Sequence, residues 1–171
     1  TPIVGPINVD NTAPTVTMTD PGAAIGGVVS LASTTTDGGG ITTVLYQYKT
    51  SAGTVWSTAC TGSVTPFTCN FDTVPLAAGL YDFRAIATDL AGNQTTSAAV
   101  TGRRVDNTPP TAVTITAPPA QFRGTITIDA GTPLDTGGSG IASVAIQRSP
   151  AGAGTWTSIC SDTTAAYSCS F

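Results

Sequence analysis

Apolar and polar residues alternate along short stretches of this 171-residue chain, and the stretches are separated by Gly, Pro, Asn and Asp. A period of two is the mark of a half-buried strand. Pro14–Thr19 sets Val16 and Met18 against Thr15, Thr17 and Thr19, and its leading proline suits an edge strand. Gly27–Thr34 alternates Val29 and Leu31 with Ser30, and residues 35–40 read as a polar, Gly-rich loop. Ile41–Lys49 turns at Ser51-Ala52-Gly53 and returns as Val55–Cys60. A loop over residues 61–67 leads to a short strand near residues 68–72. Leu80–Asp89 is the clearest strand, with Tyr81, Phe83, Ala85 and Ala87 on one face; Ala91-Gly92-Asn93 then turns it into Gln94–Thr101. Seven short strands, with turns about every 8–12 residues, predict a two-sheet β-sandwich. No segment sustains a 3.6-residue period, so no helix is expected.

The pattern occurs twice. Val9-Asp10-Asn11-Thr12-Ala13-Pro14-Thr15 returns at an offset of 96 as Val105-Asp106-Asn107-Thr108-Pro109-Pro110-Thr111. Gly40-Ile41, Val44, Gln47, Trp56, Cys60, Cys69 and Phe71 return at an offset of 100. The expected organisation is the last strand of a preceding repeat over residues 1–9, a complete repeat over 10–105, and a second repeat over 106–171. That second repeat lacks counterparts of Leu80–Asp89 and Gln94–Thr101. A sandwich without two core strands would leave its apolar face and strand edges open. The chain is therefore expected to be a window on a longer array.

Composition narrows the function. Only 9% of residues are charged, against 40% hydrophobic, and mean hydropathy is +0.20. Formal charge is −4, and Lys49 is the single lysine. That argues against nucleic acid, which needs a basic stripe to displace counterions, and against anionic membrane surfaces. No apolar run approaches the roughly 18 residues of a membrane span. Histidine and glutamate are absent, so a Ser-His-Asp triad cannot be built and the usual acid–base pool is halved. Most of the ten aspartates sit where turn chemistry explains them. An enzyme is not expected.

Four cysteines form two pairs at a spacing of nine, Cys60/Cys69 and Cys160/Cys169. Three connectivities exist in principle, and repetition of the pair in each module favours 60–69 and 160–169. Zinc is the competing reading, without CxxC spacing or histidine to support it. Disulfides imply an oxidising, extracytoplasmic setting. Each would close a loop of about ten residues and contribute roughly 2–3 kcal/mol.

Four segments carry a resemblance: VDNTAPTVT (9–17), VDNTPPTAVTI (105–115), LAAGLYDFRAIATDLAGN (76–93) and GSGIASVAIQRSPAGAGTW (138–156). With them the chain resembles bacterial immunoglobulin-like repeats of large secreted and cell-surface proteins. The resemblance implies tandem immunoglobulin-like (fibronectin III-like) sandwiches, a place in surface stalks, adhesins or extracellular fibres, and no catalytic residues. Tyr81, after a Gly-containing corner, resembles a tyrosine corner. The cysteine pair departs from antibody domains: it falls in a late hairpin and not between the sheets.

In that topology the incoming linker, the loop after the second strand and the loop before the last strand share one pole. Asp10 and Asn11 would then lie near Asp37, Asp89 and Asn93, a set of oxygen donors suited to Ca²⁺. The second module repeats Asp106, Asn107 and Asp135. Ordinary Asx-turns are the alternative for each aspartate. Lys49 raises an isopeptide bond to Asn or Asp, against the plainer reading of a solvated lysine. Asn93-Gln94-Thr95 is a formal glycosylation sequon, better read as a turn. Trp56 and Trp156 are candidate glycan-stacking residues, against packing over the sheet edge. The expected role is a structural spacer or fibre shaft whose partners are neighbouring repeats. The alternatives are an adhesive module binding glycan or protein, and a filament subunit packing on other copies of itself. The coding sequence beyond Phe171 is expected to specify a strand resembling YDFRAIATD; a stop codon there would overturn the array reading.

Overall fold

A computed structural model describes residues 9–171. The expected strand at residues 1–9 falls almost wholly outside them. The described chain is all-β, with several sheets and no helix, an arrangement consistent with a β-sandwich. It divides into two compact units, the first closing at Asn107 and the second comprising Thr108–Phe171.

The first unit contains β1 (Thr15–Met18), β2 (Ala24–Ile25), β3 (Val28–Leu31), β4 (Ser33–Thr36), β5 (Ile41–Thr50), β6 (Ser57–Gly62), β7 (Cys69–Asp72), β8 (Gly79–Asp89), β9 (Gln94–Thr96) and β10 (Val100–Val105). One sheet runs β2-β10-β8-β5-β6, with β9 also on β8; β3 pairs with β7, and β1 with β4. Alternation along β8 buries Tyr81, Phe83, Ala85 and Ala87 on one face, as the pattern predicts. They meet Val44 and Tyr46 of β5, Leu31 of β3, Phe71 of β7 and Met18 of β1 in a single core. Phe71 packs between Tyr48 and Phe83, with ring centroids 4.9 and 6.4 Å away. The Tyr81 hydroxyl donates to the Ala77 carbonyl, 3.1 Å away and four residues upstream. The buried Tyr46 hydroxyl donates to Phe67 O at 2.6 Å and lies 2.9 Å from Ser33 Oγ. Burial pushes this phenol up from its usual pKa, and the Ser33 hydrogen bond opposes that.

The strand count differs from the expected seven. The stretch read as Gly27–Thr34 plus a loop is two strands, because the chain changes partner at Ala32: β3 lies on β7 and β4 on β1. The closing strand is also divided. Ser97 interrupts it by accepting from Ala85 N through its hydroxyl, which donates to Ala98 O. β10 then resumes along β8 and runs parallel beside β2 as far as Val105, which is fully buried.

Both expected disulfides are present, Cys60–Cys69 and Cys160–Cys169, and among the described residues no cysteine is free. Two disulfides suit a non-reducing environment. Their placement corrects the late-hairpin reading. Cys60 lies in β6 of the large sheet and Cys69 in β7, which pairs with β3, so the bridge joins strands of different sheets.

The second unit contains β11 (Thr127–Asp129), β12 (Val144–Arg148), β13 (Thr157–Asp162) and β14 (Ser168–Ser170). Its core is Ile128, Ala130, Val144, Ile146, Tyr167 and Cys169. The β12–β13 ladder copies β5–β6 residue for residue: Val144↔Asp162, Ile146↔Cys160 and Gln147↔Ser158 repeat Val44↔Gly62, Tyr46↔Cys60 and Gln47↔Thr58. The register shift after Ile146 repeats the one after Tyr46. Ile128↔Cys169 likewise repeats Leu31↔Cys69. The loop beyond the ladder differs. A Cβ at Gly62 would run into the Phe67 backbone, whereas Asp162 accepts from Thr164 N at 3.0 Å and Ser168 N at 2.9 Å.

Phe83→Ala is expected to cost about 3–5 kcal/mol in the first unit and to leave the second unit's unfolding unchanged; a single shared shift in calorimetry would contradict two independent cores. Mass spectrometry of non-reduced peptides is expected to recover Cys60 joined to Cys69 and Cys160 to Cys169.

Candidate functional site: an aspartate cluster at one pole of the first unit

Three turns build the cluster. Asp10 folds back so that its Oδ1 accepts from Thr12 N at 2.9 Å. Asp37 folds back likewise, its Oδ2 accepting from Gly39 N at 2.7 Å, after β4 ends. Asp89 ends β8, where Asn93 N donates to its Oδ1 at 2.8 Å. One backbone and one side-chain hydrogen bond tie the last two turns together: Leu90 N donates to Gly40 O at 3.1 Å, and Thr42 Oγ1 donates to Asp89 O at 2.8 Å. Carboxylate oxygens of Asp10, Asp37 and Asp89 converge within 4.8 Å of one another, the sole such group of three among the described residues. Asp89 is buried, whereas Asp10 and Asp37 are half-buried.

Gly39 makes the approach possible, since a Cβ there would collide with Asp10 Oδ2 and crowd Asp37 Oδ2. Burial pushes the Asp89 carboxyl up, but the Asn93 side-chain amide and the N–H groups of Asn93, Gly92 and Ala91 outweigh it and hold the group below the usual carboxylate range. Asp37 Oδ1 is buried and has no hydrogen-bond donor. Three carboxylates, one with a buried oxygen that has no donor, form a site of negative potential whose complement is a hard cation with oxygen ligands.

The residues expected here are not all used as expected. Asn93 joins the cluster as a donor: its Nδ2 donates to Asp10 O at 3.1 Å, Thr12 O at 3.3 Å and Asp89 Oδ2 at 2.8 Å. The same inward bonds occupy the nitrogen that a glycan would need. Asn11 is exposed. Asn107 belongs to the other end of the first unit. Its Oδ1 accepts from Gly27 N at 2.7 Å and its Nδ2 donates to Thr73 O at 2.8 Å. Thr73, fully buried, donates to Gly27 O at 2.8 Å. Asp106 N donates to Ile25 O at 2.9 Å, and Gly26 leaves no room for a Cβ against Asp106 O. This docking of the linker escaped the sequence reading, whose one available signal was the pair Gly26-Gly27. Asp135, in the second unit, accepts from Gly137 N and Gly140 N and from the Ser139 hydroxyl.

Lys49 is not a solvated lysine. Its Nζ lies 2.6 Å from Asp82 Oδ2, with the two side chains 15% and 8% exposed. Asp82 also accepts from Ser51 Oγ at 2.6 Å and Gly102 N at 2.9 Å. Burial pushes this carboxyl up, while Lys49, Ser51 and Gly102 together hold it below its ordinary value. The pair is an ion pair between charged groups. Trp56 is half-buried on the same outer face, with the Arg84 guanidinium 4.3 Å from its ring centroid and Lys49 Nζ at 5.4 Å. Gln47 Oε1 fixes that guanidinium with bonds of 2.9 and 2.7 Å. Trp156 is 67% exposed.

A comparison with protein-family models finds no match, and no curated protein is detectably similar to the chain.

Lys49→Met is expected to destabilise the first unit by about 3 kcal/mol, because it strands a buried carboxylate; denaturant titration would measure this. Because the folded-state pKa of Asp82 is lowered, its contribution is complete above the ordinary carboxylate range near pH 4. That contribution is lost as pH falls through the depressed value. Asp82→Asn is therefore expected to flatten the acid limb of the stability profile, and an unchanged limb would contradict the ion pair.

Proposed function

We propose that the chain is a stretch of a tandem immunoglobulin-like array that serves as a spacer or fibre shaft in an extracellular, bacterial-type surface or filament protein. The observation that carries this reading is the copied ladder, in which β12–β13 reproduces the pairing, bulge and inter-sheet disulfide of β5–β6. Duplication of a whole folding unit multiplies length and leaves chemistry unchanged. The Tyr81–Ala77 hydrogen bond supports the immunoglobulin-like assignment. The docked Val105–Asn107 segment suits a shaft, since a linker bonded into its own module bends less than a free one. The adhesive alternative draws less support, because Arg84 stacks on the Trp56 ring that a sugar would use.

On the same reading, the Asp10–Asp37–Asp89 pole takes Ca²⁺ where a module receives its incoming linker. The buried Asp37 Oδ1 without a donor supports that assignment. Holding Asp10 to the two turns would fix the direction in which the chain enters.

Replacing this segment in its parent protein with an unrelated rigid β-repeat of equal length is expected to preserve function. Loss of function, reproduced by Trp156→Ala, would favour the adhesive reading. Ca²⁺ at a hundredfold excess over its Kd is expected to stabilise the first unit by about 2.7 kcal/mol, a rise of several degrees in Tm. Asp37→Asn should abolish the rise, and no rise at millimolar Ca²⁺ would overturn the cation assignment.

A further inference from the structure

Asp10, Asp37 and Asp89 bring three carboxylates together at one pole of the first unit. Carboxylates this close repel one another, so the approach needs an attraction of its own. Asp37 and Asp89 stand at the ends of β4 and β8, and those strands hold them in place. Asp10 has no such support. It precedes β1, which begins at Thr15, and the N–H that its Oδ1 accepts comes from Thr12 of its own turn.

Among the described residues, the hydrogen bonds that join residues 9–13 to the rest of the unit come from one group, the Asn93 side-chain amide. Its Nδ2 donates to Asp10 O at 3.1 Å and to Thr12 O at 3.3 Å, and also to Asp89 Oδ2 at 2.8 Å. Three oxygens surround this nitrogen, so the opposite amide orientation would set oxygen against oxygen. The amide is anchored in turn. Asn93 N donates to Asp89 Oδ1 at 2.8 Å, Asp89 N donates to Asn93 O at 3.1 Å, and Asp89 is 2% exposed. A donor fixed on the buried end of β8 therefore reaches two carbonyls of a segment more than 80 residues earlier.

We propose that Asn93 is a positioning residue that clamps residues 10–12 to this pole without a cation. The clamp grips main-chain oxygens and one carboxylate with a neutral amide, so it works before any ion arrives. Asn107 acts alike at the other end of the unit, where its amide bonds to Gly27 N and Thr73 O. A cation at the pole would neutralise carboxylates that Asn93 has already assembled, and a preorganised set of ligands binds with less loss on ordering. The inference concerns the pole assigned above to Ca²⁺ and stands whether or not the ion binds.

The test is hydrogen exchange by NMR on the 171-residue chain in excess EDTA. Thr12 N–H is expected to be protected, and the two Asn93 Nδ2 protons to exchange slowly. Asn93→Ala removes the amide, and Asn93→Asp keeps its shape without the donors. Each is expected to lower Thr12 protection about tenfold. Protection of residues 44–48 and 83–87 should stay unchanged, which separates a lost clamp from a general loss of stability. Thr12 protection that survives in both variants would overturn the inference, and so would protection that appears in the unsubstituted chain only when Ca²⁺ replaces EDTA. Fast exchange of the Asn93 Nδ2 protons in the unsubstituted chain would also overturn it, a readout that needs no variant to fold. Thr12 protected in EDTA, with no rise in Tm at millimolar Ca²⁺, would support the clamp and overturn the cation assignment alone.

Discussion

β5 and β8 lie antiparallel along their whole length, from Ile41 against Asp89 to Thr50 against Tyr81, and the first unit is organised around that ladder. Its inner face supplies Val44 and Tyr46 from one strand and Tyr81, Phe83, Ala85 and Ala87 from the other. Its outer face carries the Lys49–Asp82 ion pair and the Gln47–Arg84–Trp56 stack. Its ends set the poles. Asp89 closes the ladder at the aspartate cluster, and Tyr81 anchors the corner at the other end. Because side chains of a strand alternate strictly, a slip of one residue would exchange the core for the ion pair. Both faces therefore specify the same register.

The aspartate cluster and the docked linker place opposite demands on similar residues. At the entrance, Asp10 approaches two other carboxylates, and Gly39 makes room for it. At the exit, Asn107 satisfies Gly27 and Thr73 with a neutral amide, and Gly26 makes room. The Val-Asp-Asn segment therefore has divided duties. Val105 is fully buried and Asn107 bonds to turns of the first unit, whereas Val9 and Asn11 are exposed and Asp10 joins the aspartate cluster.

Much of this was legible in the pattern of residues. The inward face of β8 and the cysteine pairing follow from alternation and repetition, and the convergence of Asp10, Asp37 and Asp89 from the loop placement that the resemblance to immunoglobulin-like repeats implies. What stayed hidden was partner choice. Leu31 and Ser33 continue a pattern of period two while the chain passes from β7 to β1 at Ala32, and local periodicity records burial, not neighbours. The same limit concealed the inter-sheet disulfide, since β7 pairs with a strand some 40 residues earlier. Lys49 was misjudged because its partner Asp82 lies across a ladder with no sequence mark of its own. Asn93 was placed correctly but read as a ligand, because composition does not show which end of an amide turns inward.

The inter-sheet disulfide also has a mechanical consequence. Cys60 and Cys69 sit 6.1 Å apart between Cα atoms, whereas nine extended residues span about 30 Å. A unit drawn out by its ends releases a chain shortened by that difference, about 25 Å. The two layers also remain tethered at one edge after their side chains part. An array of such units under tension would lengthen in steps that are short for the number of residues involved, and each opened unit would keep a covalent loop as a fixed point from which to close again.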